Sequence, residues 1–91
     1  MQIRGTMKVE VVLRILPQSP EANIEKMERE IKEKIFPEKI EKEPIAFGLF
    51  AIKISKVIED KEGELERIEN EIKSIEDVGR CEVISVTRLL A

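Results

Sequence analysis

The spacing of apolar residues along this chain switches from two to between three and four and back again, and it does so twice. Val9, Val11, Leu13 and Ile15 alternate with Lys8, Glu10 and Arg14, the period of a strand that buries one face. Pro17 stops that strand. Ile24, Met27, Ile31 and Ile35 then recur at helical spacing, behind two candidate caps: Ser19, with Pro20 at the first helical position, and Asn23. Pro37 ends the helix. Lys39 to Ile45 reads as a strand of mixed character, as expected at a sheet edge, and Phe50, Ile52 and Ile54 share one face of the next strand until Glu59-Asp60-Lys61-Glu62-Gly63 breaks it. A second helical stripe follows in Leu65, Ile68, Ile72 and Ile75, with Gly63 as its best cap. After Asp77-Val78-Gly79 the last strand carries Cys81, Val83 and Val86, an alternation that slips by one residue and predicts a bulge near Ile84 or Ser85.

The order is β-α-β-β-α-β. Each helix has one apolar stripe and each strand one apolar face, so two helices packed on one side of a four-stranded antiparallel sheet bury all of it. That is the ferredoxin-like α+β arrangement. With right-handed crossovers the middle hairpin lies at one end of the sheet and the end of the last strand at the other, on the order of 20 Å apart. Residues 7–91 are expected to form a single domain, and the unpatterned residues 1–6 a flexible extension.

The outer helix faces are rich in charge. Glu25 with Arg29, Glu28 with Lys32, Glu30 with Lys34 and Glu69 with Lys73 are spaced as acid-first pairs four apart. The net charge is only -3, with both signs interspersed, which argues against a nucleic-acid field or a membrane-surface patch. The abundance of Glu, Lys and Ile leans toward a thermophilic source. No apolar run is long enough to span a bilayer, and the N-terminus lacks the apolar segment of a signal peptide, so a cytoplasmic location is expected. With no His there is no imidazole chemistry, and Cys81, the single cysteine, reads as core filling. The carboxylates read as solvated helix faces rather than a metal or acid-base set, and base stacking on a sheet face is poorly served by three Phe and no Tyr or Trp. No enzyme activity, cofactor or metal is expected.

One segment stands apart. Glu43-Pro44-Ile45-Ala46-Phe47-Gly48-Leu49 reads as the tip of the middle hairpin: Pro44 suits an edge strand, and Gly48 can take the positive φ of a tight reversal. An apolar Phe47 on such a tip must either tuck back or meet a partner.

This run, together with Ala51-Ile52-Lys53, Val57 to Gly63, Ile75 to Val78, Glu82-Val83 and the earlier Leu16-Pro17, Pro20-Glu21 and Asn23-Ile24-Glu25, resembles the archaeal translation elongation factor 1-beta family. The resemblance spans nearly everything from Met7 to Leu89. It implies a ferredoxin-like guanine-nucleotide exchange factor that binds the elongation factor 1-alpha GTPase, promotes loss of GDP and lets GTP take its place, without a cofactor, nucleic acid or membrane of its own. Pro44, Ile45, Phe47, Gly48, Phe50 and Arg88 are the partner-binding residues it implies. Phe47 matches the tip aromatic that docks on the GTPase in eukaryotic relatives. Arg88 stands closest to a Lys that reaches toward the GTPase magnesium site, and Phe50 stands where relatives usually carry Lys. An inward Phe50 is core and an outward one enlarges the contact; the inward orientation is preferred. A ligand-binding regulatory domain or a plain assembly domain of the same fold remains as the alternative.

Overall fold

The computed structural model describes residues 7–89. The expected extension over residues 1–6 and the last two residues of the expected 7–91 domain lie outside the described residues. Strand β1 (Lys8–Pro17) leads into helix α1 (Ile24–Ile35), strand β2 (Lys39–Pro44), a short 3-10 turn (Ala46–Gly48), strand β3 (Phe50–Glu59), helix α2 (Glu64–Lys73) and strand β4 (Val78–Leu89). The sheet order is β2-β3-β1-β4 with every neighbouring pair antiparallel, the ferredoxin-like arrangement.

Both periodicities end on one core. Val9, Val11, Leu13 and Ile15 of β1 and Ile52, Ile54 and Ile58 of β3 face Met27, Ile31 and Ile35 of α1 and Ile68 and Ile72 of α2, with Ile75 just beyond it. Leu13, Ile15, Ile31, Ile52 and Ile72 are fully buried, each stabilising the fold by about 1.5–3 kcal/mol relative to an exposed side chain. Among the described residues no charged or polar residue is buried with them. Of the two candidate caps, Asn23 does the capping: its side chain accepts from the Lys26 backbone N–H at 3.0 Å. α1 stops at Phe36, whose left-handed backbone (φ 54) returns its N–H to Lys32.

The predicted bulge is at Ile84. Val12 pairs with Ser85 and Leu13 with Val83, leaving Ile84 without an opposite number. A second irregularity lies between Leu16, paired with Arg80, and Pro17, paired with Val78; here Gly79 is passed over.

The helix charges are arranged differently from the expected pairs four apart. Among the described residues Glu25 pairs with Lys42 on β2 and Lys26 with Glu76 beyond α2, while Arg67 on α2 pairs with Glu64 and Glu71. Long side chains with several candidate partners are drawn to those that other elements hold in place. Glu25 and Lys26 at the start of α1 thus tie the helix to its neighbours.

Candidate functional site

The β2–β3 connection is built by local backbone bonds. The Ile45 N–H donates to the Leu49 carbonyl at 2.8 Å and the Leu49 N–H to the Ala46 carbonyl at 3.3 Å, closing a tight turn. Two consecutive residues, Phe47 (φ 59) and Gly48 (φ 73), adopt the left-handed conformation. Gly48 is suited to it; Phe47 is not, since a Cβ there crowds the backbone. The phenyl ring is 96% exposed, so it has not tucked back. A bulky aromatic held in a sparsely populated conformation with its ring in solvent is a local cost without a folding benefit.

Pro44 closes β2 opposite Phe50, the first residue of β3. Phe50 lies on the same strand face as Ile52 and Ile54, as the alternation implies, but it is 42% exposed. The preferred reading of Phe50 as core is therefore corrected: it starts its strand at the edge of the core and remains substantially open to solvent. Phe47 in the turn and Phe50 just after it are both exposed.

On the sheet face away from the helices, a line of charge crosses this end of the sheet. Arg14 Nε donates to Glu43 Oε1 at 2.9 Å and Nη2 to Glu43 Oε2 at 3.5 Å, while Nη1 lies 3.7 Å from Glu82 Oε1. Arg80 Nη1 completes the line by donating to Glu82 Oε2 at 3.0 Å. The hydrogen bond from Arg14 holds the Glu43 carboxyl below the usual carboxylate range and raises Arg14 in turn. Between this line and the turn lies an open groove of about 830 Å³, bordered by Pro17, Glu43, Phe47, Gly79 and Arg80 among others.

Arg88 is at the far end. It pairs with Val9 in the register, whereas the turn lies beyond Pro17, so about eight strand steps of roughly 3.3 Å each, on the order of 25 Å, separate it from the Phe47 end. Its guanidinium donates to Asp60 Oδ2 at 3.0 Å in an exposed ion pair. Of the six predicted site residues, five thus gather at the turn and Arg88 stands alone at the opposite end, as the topology requires.

Cys81 packs beside the core on the face of Ile15, and desolvation, with the nearby Glu69 charge, pushes its thiol up to about 11. A thiol so placed is no ready nucleophile. No group of three or more His, Cys, Asp or Glu side chains that could hold a metal is found among the described residues, and no helix there is long and apolar enough to cross a membrane.

Sequence reading passed over two features. Arg14 and Glu43 are 29 residues apart, on strands that do not pair; the available signal was a cation on the polar face of β1. Phe36 is 71% exposed at the end of α1, where an aromatic at a helix C-terminus ahead of Pro37 was the available sign.

Comparison with known proteins connects these features to a lineage. Residues 10–89 match the EF-1 guanine nucleotide exchange domain. Over 84 residues the chain is 42% identical to elongation factor 1-beta of Methanocorpusculum labreanum, covering 91% of this chain and 98% of that protein. It is 43% identical over 81 residues to elongation factor 1-beta of Methanospirillum hungatei, covering 87% and 94%. To that of Thermococcus gammatolerans it is 37% identical over 84 residues, covering 86% and 91%. A domain match that takes in the turn, the charge line across the sheet and Arg88, together with near full-length likeness to these archaeal proteins, shows that the chain belongs to the EF-1 guanine nucleotide exchange domain family.

Proposed function

We propose that this chain is a guanine-nucleotide exchange factor for the elongation factor 1-alpha GTPase, acting in the cytoplasm to speed GDP release so that GTP can reload during translation elongation. Membership of the exchange-domain family carries the reading. The exposed aromatic turn supports it, because a strained turn with its ring in solvent makes physical sense once a partner covers the ring.

No bond is made or broken by such a factor. A protein that binds the nucleotide-free GTPase better than the loaded form must weaken nucleotide affinity by the same factor, and each 1.4 kcal/mol of this coupling is about tenfold. Two contact points at opposite ends of one sheet give a small domain a long lever arm on its partner: Phe47 and Phe50 at one end, Arg88 at the other.

The test is release of fluorescent GDP from the cognate GTPase. Catalytic amounts of this chain are expected to accelerate release, while the chain alone forms no stable GTP complex. It has no Gly-rich Lys-Ser/Thr loop to cradle phosphate. An unchanged release rate with a properly loaded GTPase from the same organism would remove the reading.

Arg88 is read as delivering positive charge near the magnesium site of the GTPase. To do so it must leave Asp60, an exposed pair of the kind that typically contributes little and parts easily. Arg88→Ala is expected to slow GDP release severalfold with no loss of folding, and Arg88→Lys to keep much of the rate because it keeps the charge. Equal rates for the wild type and Arg88→Ala at subsaturating factor would take Arg88 out of the mechanism.

A further inference from the structure

β2 is weakly anchored at the end that carries the turn. It is an outer strand, it pairs only with β3 among the described residues, and four of its six residues are exposed. Ile40, near its start, reaches the core; toward the turn the sequence runs Glu41-Lys42-Glu43-Pro44 with no apolar side chain except the proline. Pro44 has no N–H, so the last position of the strand offers no backbone donor. Yet the turn holds Phe47 at φ 59, a conformation that persists only where the surroundings impose it.

Side chains supply the missing anchor. Arg14 sits on β1, between the fully buried Leu13 and Ile15, on one of the two central strands. To reach Glu43 its guanidinium must cross β3, a span of two strand spacings, roughly 9–10 Å. The residue of β3 opposite Glu43 is Ala51, which is fully buried, and its single methyl leaves room for the crossing. The pair is the most shielded ion pair among the described residues, with side chains 32% and 29% exposed. Glu82 steadies the guanidinium from the other side and is itself held by Arg80. A planar fork gripping a carboxylate by two bonds fixes direction as well as distance.

We infer that Arg14 is a positioning residue for the Phe47 turn: by strapping Glu43 to the central strand across Ala51, it sets the direction in which the aromatic leaves the sheet. The inference rests on the reading of Phe47 as a partner contact and deepens it. A strap of this kind lowers the ordering cost of binding without adding a contact to the partner. Its removal therefore alters the turn and the affinity, while the core, which contains neither Arg14 nor Glu43, keeps its stability.

The test uses the full chain with Arg14→Met, which keeps the stem and loses the fork. Amide hydrogen exchange followed by NMR is expected to quicken about threefold to tenfold at Ile45 and Leu49, whose N–H groups close the turn, and to stay unchanged at Ile52 and Ile54. Arg14→Lys recovers part of the protection, and Glu43→Gln, which keeps the shape of its side chain, loses it as Arg14→Met does. In GDP release, Arg14→Met raises the half-saturating concentration severalfold and leaves the plateau rate alone. Unchanged turn amides in both Arg14→Met and Glu43→Gln overturn the inference. So does loosening that spreads equally through the core, since the pair would then be a general structural brace. If wild type and Phe47→Ala release GDP equally well, the docking reading of Phe47 fails on its own, and the amide rates still decide what Arg14 does.

Discussion

Phe47→Ala is expected to weaken binding to the nucleotide-free GTPase by about 2 kcal/mol or more, roughly thirtyfold in Kd, while leaving the melting temperature nearly where it was. The two halves of that expectation have separate physical origins. A ring that is 96% exposed contributes almost no burial to folding, so its removal opens no cavity. The left-handed backbone strain is similar for Ala and Phe, because both carry a Cβ. At an interface the same ring would lose its water, fill a pocket on the partner and act as an anchor, the role in which aromatic residues contribute most. Titration calorimetry against the nucleotide-free GTPase gives the first half, and a thermal scan of the free chain gives the second. An unchanged Kd would mean that the turn is decorative; a fall in stability near the 3–5 kcal/mol typical of a core Phe would mean that the ring is not free in solution.

Gly79→Ala is expected to destabilise the chain by about 1–3 kcal/mol, the usual cost of forcing atoms into a packed site. For a domain of this size each kcal/mol lowers the melting temperature by roughly 4–8 °C. The cause is contact and not dihedral preference. A methyl at Gly79 would stand 2.7 Å from the Gln18 Cα and 2.8 Å from the Pro17 carbonyl oxygen, and both neighbours are backbone atoms that cannot rotate aside. Gly48 offers the contrast: a methyl there meets nothing within 4 Å, and only its positive φ resists substitution. The strain at Gly79 would be relieved by pushing β4 away from the end of β1, which moves Arg80 and Glu82 and with them the far side of the Arg14 cluster. Scanning calorimetry checks it, and a variant that melts with the wild type would show that the two strands have slack at their crossing.

Most of the architecture was legible because it depends on neighbours in the chain. Alternation and helical spacing are local patterns, and Val9 to Ile15 or Ile68 to Ile75 state their buried face without reference to anything distant. The slip after Val83 put a bulge near Ile84 or Ser85 for the same reason, and it lies at Ile84. Phe50 shows where a local pattern fails: its face was correct, but how deeply a residue at the end of a strand is covered depends on how far the helices extend over it, which no alternation encodes. The expected Glu25–Arg29 pair failed similarly, since Lys42 takes Glu25 only after folding brings the two near. Arg14 and Glu43 were beyond local reading altogether. Their meeting requires the strand order β2-β3-β1 and a small residue at position 51 between them. At the turn, Gly48 advertised a reversal, while the left-handed backbone of Phe47 beside it had no sequence signature.

The bulge at Ile84 also bears on how copies of this protein coexist at high concentration. β4 is an outer strand of twelve residues, and Val83, Ile84 and Val86 are exposed along it. Among the described residues one side of β4 has no partner strand, and an unpaired apolar edge of that length is a template on which sheets of separate molecules join and grow into fibres. The extra residue breaks its row of free N–H and C=O groups into two short stretches that are out of step and twisted relative to each other. A second copy cannot zip along both at once. The opposite outer strand is blunted by other means, with charge at Lys39, Glu41, Lys42 and Glu43 and a proline at its end. Despite its exposed apolar side chains, an edge interrupted in this way is expected to be a poor template for a second copy.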